Sequence, residues 1–252
     1  MKLRTLLAVV AGALTVAALV GQSGTATASG RCGVDVAGNG GYSYAGHQAS
    51  IRAHGVRATI TATRALEVSG AGHVAGWIGV GGPGQGARGE DAWIQAGIAS
   101  VYGTKPFLYA EITRGGRYPK FMLLEEELEI GATRSVAVLE VAGRPGWWRV
   151  WSDGNPVTKP LKISGSSGRW APIATAESFS GGEVACNSFA FRFERVLVAN
   201  GPGGAWSPFD SAHRFLDGGN KLHALATAPS APKTRRLSTA SNPLPYAFVA
   251  SS

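Results

Sequence analysis

The sequence predicts an all-β fold: two antiparallel sheets packed face to face as a sandwich of the jelly-roll kind. Three observations predict it. From "SIRAHGVRATITATRAL" at residues 50–66 onward, apolar and polar residues alternate with a two-residue period in short runs. Turn signals such as "RGGRYP" and "SDGNP" separate the runs, at the roughly 8–12-residue spacing typical of sandwiches. No segment carries a long 3.6-residue period with capping residues at both ends.

The elements follow in chain order. Residues 1–28 read as a signal peptide, with a basic "MKLR", the apolar run "TLLAVVAGALTVAALVG" and a small-residue cleavage site ending at Ala28. This predicts a secreted protein whose mature form spans residues 29–252 and has no membrane attachment. Residues 29–55 are rich in Gly, Ser and Ala and read as an N-terminal arm. Candidate strands then span 56–63, 73–80, 92–99, 106–113, 118–124, 134–141, 147–152, 157–163, 172–179 and 188–198. "FMLLEEELEIG" fits neither period well and is open between helix and strand. The sandwich domain is expected over 56–215. Residues 216–252, with "ATAPSAPKTRRLSTASNPLP", read as a flexible tail of Pro, Ala, Ser and Thr.

Composition narrows the chemistry. The formal net charge is +8 and the pI about 9.8, but the basic residues are dispersed and no nucleic-acid motif is present. A solvated surface, without nucleic-acid partners, is therefore expected. Two cysteines, Cys32 and Cys186, suit one disulfide in an exported chain. Five histidines at scattered positions lack ligand spacing, so neither metal nor cofactor is expected. "GGPGQGARG" has no following Lys-Ser/Thr and no helix after it, so it reads as a loop bordering a groove. No Gly-x-Ser-x-Gly elbow is present, which argues against a serine hydrolase.

Polar side chains inside strand patterns are the candidates for function. In "AWIQAGI", Ile94, Ala96 and Ile98 share one face, and Trp93, Gln95 and Gly97 the other. In "PIATAESFSGG", Ile173, Thr175, Glu177 and Phe179 share a face. Read from the residues alone, Glu177 is either an edge glutamate, solvated or ion-paired, or a desolvated carboxylate with a raised pKa suited to acid–base work. Glu111, in "FLYAEIT", shares a face with Tyr109 and has the same two readings.

The series "GWIGVGG", "AWIQAGI", "FLYAEITRGGRYP" and "ATAESFSGG" resembles the glutamic peptidases, the eqolisin family. The resemblance implies a concanavalin A-like bent sandwich of two seven-stranded sheets, with a Gln/Glu dyad on its concave face. It carries the catalytic glutamine onto Gln95 and the catalytic glutamate onto Glu177. Trp77 matches the tryptophan of the first strand. Tyr109 falls where the third strand has a tryptophan, and Glu111 on that strand's glutamate. With Trp93, these residues would line the substrate groove. The implied activity is an acid-acting endopeptidase that takes peptide or protein substrates, and a monomer is expected. The chain departs from the family in its basic pI and in its Tyr-Ala-Glu-Ile, where the family has Trp-Tyr-Glu-Trp-Tyr. The rival readings are a glycan-binding sandwich module, a glycoside hydrolase using Glu111 with Glu177, and an inactive peptidase-like structural protein.

Overall fold

A computed structural model describes residues 42–179, 187–209, 212–217, 223–226 and 246–251. Among these it contains no helix. Sixteen strands follow in order: β1 (Tyr42–Ala49), β2 (Gly55–Ala62), β3 (His73–Gly82), β4 (Ala92–Val101), β5 (Phe107–Arg114), β6 (Lys120–Glu125), β7 (Thr133–Glu140), β8 (Trp147–Ser152), β9 (Asn155–Pro156), β10 (Leu161–Lys162), β11 (Pro172–Phe179), β12 (Ala190–Ala199), β13 (Trp206–Pro208), β14 (Ala212–Asp217), β15 (His223–Ala226) and β16 (Tyr246–Ser251). They form two antiparallel sheets. The first has seven strands in the order β14-β1-β11-β3-β4-β5-β6. The second has nine, β10-β8-β7-β2-β12-β16-β15, with β13 beside β12 and β9 beside β8.

Alternation explains how the sheets pack. The inward residues of the first sheet include Ile78, Ile94, Ile98 and Ile112, and those of the second include Ile60, Val138, Phe191 and Phe193, all essentially without exposure. Gly76 shows how closely the sheets approach, since a Cβ there would lie 2.5 Å from the Phe191 ring.

The structure redraws the domain limits read from sequence. β1 lies inside the stretch read as an arm and pairs with both β11 and β14. Its inward residues are Ser43, Ala45, His47 and Ala49, small or polar, so no hydrophobic stripe announces it. The range 216–252 read as a flexible tail, yet its described parts are strands. β16 lies between β12 and β15, with Phe248 and Ala250 fully buried. Phe248 stacks on Phe193 with ring centroids 4.5 Å apart. Its short alternation was hidden behind the Pro- and Ser-rich stretch. The candidate strand 157–163 shrinks to β10, and Pro160, just before it, lacks the N–H a ladder needs. "FMLLEEELEIG" splits into β6 and a turn, with Glu127 at φ 53. The signal-peptide segment, Cys32 and Cys186 lie outside the described residues. No described helix is long and apolar enough to cross a membrane.

Candidate functional site

The outward face of the seven-stranded sheet carries every site residue read from the sequence. Outward faces are ordinarily wet, but here Trp77, Tyr109 and Glu177 are 7%, 4% and 7% exposed. A second apolar cluster covers this face, built from Ala75, Trp77, Phe107, Tyr109 and Ile173 with Tyr44, Phe121 and Phe215 packed against it. The site residues lie among packed aromatic rings that shield them from solvent.

Strand register places the residues in cross-strand rows. One row runs Glu177, Ala75, Ala99, Phe107. The next runs Thr175, Trp77, Gly97, Tyr109, and the third Ile173, Gly79, Gln95, Glu111. Gln95 and Glu177 therefore share a face but sit two rows apart, about 13 Å along the strands. No hydrogen bond joins them. The middle row spans the gap: Trp77 Nε1 donates to Glu177 Oε2 at 3.0 Å, while Gln95 Nε2 donates to Tyr109 Oη at 3.3 Å. Gly97 keeps this row flat, because a Cβ there would meet Gly76 O at 2.1 Å and Trp77 Cα at 2.6 Å.

Each carboxylate has its own partners. Glu177 Oε1 lies 2.7 Å from His73 Nε2. Trp93 Nε1 donates to Glu111 Oε1 at 2.8 Å. Burial pushes Glu111 up to about 7; the Glu177 charge adds to the rise, while the Trp93 N–H and His73 oppose it. The Tyr109 hydroxyl is pushed well above its usual range, by burial first and then by Glu177 and Glu111. Tyr42 is raised for the same reasons in the same order. These couplings tie Glu111, Tyr109 and Glu177 into one electrostatic unit.

Glu111 makes stability depend on pH in a set direction. Below pH 4.5 it is protonated in both folded and unfolded chains and contributes nothing. Between 4.5 and about 7 the unfolded chain ionises first, so stability falls as pH rises. The full penalty is on the order of 3 kcal/mol, at 1.36 kcal/mol per pH unit. Glu111→Gln should therefore melt several degrees above the parent at pH 8 and no higher at pH 4. Equal gains at both pH values in a thermal melt would show that burial of the charge is not the cause.

His73 and Tyr42 were not singled out from sequence. The alternation His73, Ala75, Trp77 was visible, and it places His73 on the site face. The Gly-rich loop between β3 and β4 binds its own carboxylates, with Gly84 N on Asp91 Oδ1 at 2.9 Å and Arg88 N on Glu90 Oε2 at 2.7 Å. Among the described residues no group of three or more His, Cys, Asp or Glu side chains suits a metal ion.

No protein-family model matches the sequence, and no curated protein matches it. Solved structures do match the fold. A scytalido-glutamic peptidase with a peptide-based transition-state analogue superposes with a TM-score of 0.53 at 16% identity, over 84% of this chain and 97% of that one. A second structure of that enzyme, with a transition-state analogue inhibitor, gives 0.52 at 15% identity, over 84% and 98%. SCP-B, a member of the eqolisin family of peptidases in complex with the tripeptide Ala-Ile-His, gives 0.48 at 14% identity, over 84% and 97%. At these identities the likeness is one of fold: an all-β antiparallel sandwich.

Proposed function

We propose that the chain is a secreted hydrolase of peptide bonds, with Glu177 and Gln95 on either side of the reacting group. One observation carries this reading: the residues matched by motif, far apart in sequence, share one shielded face of a sandwich whose fold resembles that of glutamic peptidases. Glu177 takes a proton from a water as that water attacks the scissile carbonyl, and later returns it to the leaving amine. Gln95 exchanges its long bond to Tyr109 for one to the developing oxyanion. The separation of the two side chains leaves the substrate carbonyl and water between them rather than closing a direct Gln–Glu bond. Below about pH 7 Glu111 is neutral, so it adds no second negative charge to the face it shares with Glu177. This favours turnover in acid.

The raised Glu111 favours one other reading, a glycosidase in which Glu111 is the acid and Glu177 the base or nucleophile. The test incubates residues 29–252 with a denatured protein over pH 2–7, and in parallel with a panel of oligosaccharides. Peptide fragments that are most abundant in acid are the expected result. Sugar release without fragments supports the second reading, and a folded protein that cleaves neither is no hydrolase of these classes.

A further inference from the structure

The outward face of the nine-stranded sheet has a different chemistry. On β8, Trp148 and Val150 point inward, leaving Trp147, Arg149 and Trp151 outward. On β2, Arg57 and Thr59 alternate with buried Val56, Ala58 and Ile60. Register sets Trp151, Ala137, Arg57 and Leu197 in one cross-strand row. Cations lie over the indoles along this face: Arg57 is 4.7 Å from the Trp206 ring centre, Arg149 is 6.0 Å from that of Trp151, and Arg144 is 4.1 Å from that of Trp147. Lys162 also lies over Trp147, at 5.6 Å.

These cations lack neutralising partners. Among the described residues, Arg57, Arg144, Arg149 and Arg195 form no ion pair, whereas nearby Glu194 is taken by Arg192 at 3.3 Å. Arg57 loses affinity for its proton through burial and then through the like charge of Arg195. Arg149 Nε is buried without a hydrogen-bond acceptor. Arg195 is exposed at the bulge of β12, at φ 52, where side chains other than glycine rarely sit. It borders a depression of about 430 Å³ lined also by Thr59, Glu194 and Ala247.

We propose that this face binds a linear acidic polysaccharide through Arg57, Arg149 and Arg195. A guanidinium stacked on an indole keeps its N–H edge free for a carboxylate or sulfate. From β8 across to β12 is three strand spacings, about 14 Å, which suits an extended chain better than a single anion. Single-stranded nucleic acid binds by stacking bases on open aromatic faces. Here cations already cover those faces of Trp147, Trp151 and Trp206, so the charges of a glycan are the better match.

The probes are heparin, which carries sulfate, and polygalacturonate, which carries carboxylate, with single- and double-stranded DNA for comparison. Residues 29–252 are titrated with each by calorimetry at low salt and then at rising salt. Either glycan should bind, weakening steeply with salt as counterions are released. Combined Arg57→Gln, Arg149→Gln and Arg195→Gln should weaken binding at least tenfold, and Arg88→Gln should leave it unchanged. Should the triple variant fold poorly, Arg195→Glu alone, at an exposed position, should weaken binding severalfold. Three outcomes would overturn the proposal: neither glycan binding at low salt, folded variants binding as well as the parent, or DNA binding more tightly than both glycans.

Discussion

Glu177→Gln is expected to lower peptide hydrolysis by about 10²–10⁴, the range associated with loss of a general acid–base group. The substitution keeps the size of the side chain and most of its bonding. The amide oxygen accepts from Trp77 Nε1, and the amide nitrogen donates to His73 Nε2 once the ring takes the tautomer with its proton on Nδ1. Neither buried partner is left unsatisfied, so the melting temperature should stay close to that of the parent. Proton transfer is what the variant lacks. Gln95→Ala removes the proposed oxyanion donor and should cost about 10²–10³. Its loss of stability should be small, because its one bond is the long contact with Tyr109. The measurement is kcat on a defined peptide at the pH of greatest activity, beside a circular-dichroism melt. A Glu177→Gln enzyme retaining more than a tenth of the parent rate places the base elsewhere, with Glu111 the next residue to replace.

The second large effect concerns folding. Truncation after Pro245 removes β16, which leaves β12 and β15 without a shared neighbour and opens the core at Phe193. The truncated chain should lose cooperative unfolding altogether. Phe248→Ala isolates one part of that effect. Its ring is fully buried against Phe193 and lies edge-on to His47 at 4.7 Å. Deleting it should cost about 3–5 kcal/mol and lower the melting temperature by on the order of 10 °C. Val249→Ala, at a half-buried position on the same strand, serves as the comparison. A truncated chain that melts like the parent means that β16 adds nothing to the fold.

These two expectations rest on features of unequal legibility. The strands with isoleucine on their inner face, β2, β3, β4 and β5, were readable within one or two residues, because alternation of large apolar and polar residues is a local signal. β1 was not, since the core accepts Ser43, Ala45 and Ala49 from it and no large residue marks the buried side. β16 was obscured by its surroundings. In the site, Gln95 stood out as a polar residue in an apolar strand, and its outward face was correctly anticipated. What alternation does not encode is register. The row containing Glu177 and the row containing Gln95 are assigned by pairings among β11, β3 and β4, and the intervening Trp77 and Tyr109 emerge only from those pairings. His73 meets Glu177 across 104 positions, a distance over which no local pattern speaks.

The order of strands has a consequence for how the molecule is made. β1 pairs with β11, and β2 with β12, so the earliest described strands of both sheets have partners from much later in the chain. At a synthesis rate of about 5–20 residues per second, β1 waits on the order of ten seconds for β11. β16 then enters the second sheet between β12 and β15, later than every other described strand. The run β3-β4-β5-β6 needs only sequence-local pairings, but neither sheet is complete until its late strands arrive. Until then the edges of β1 and β2 that those later strands cover stay open.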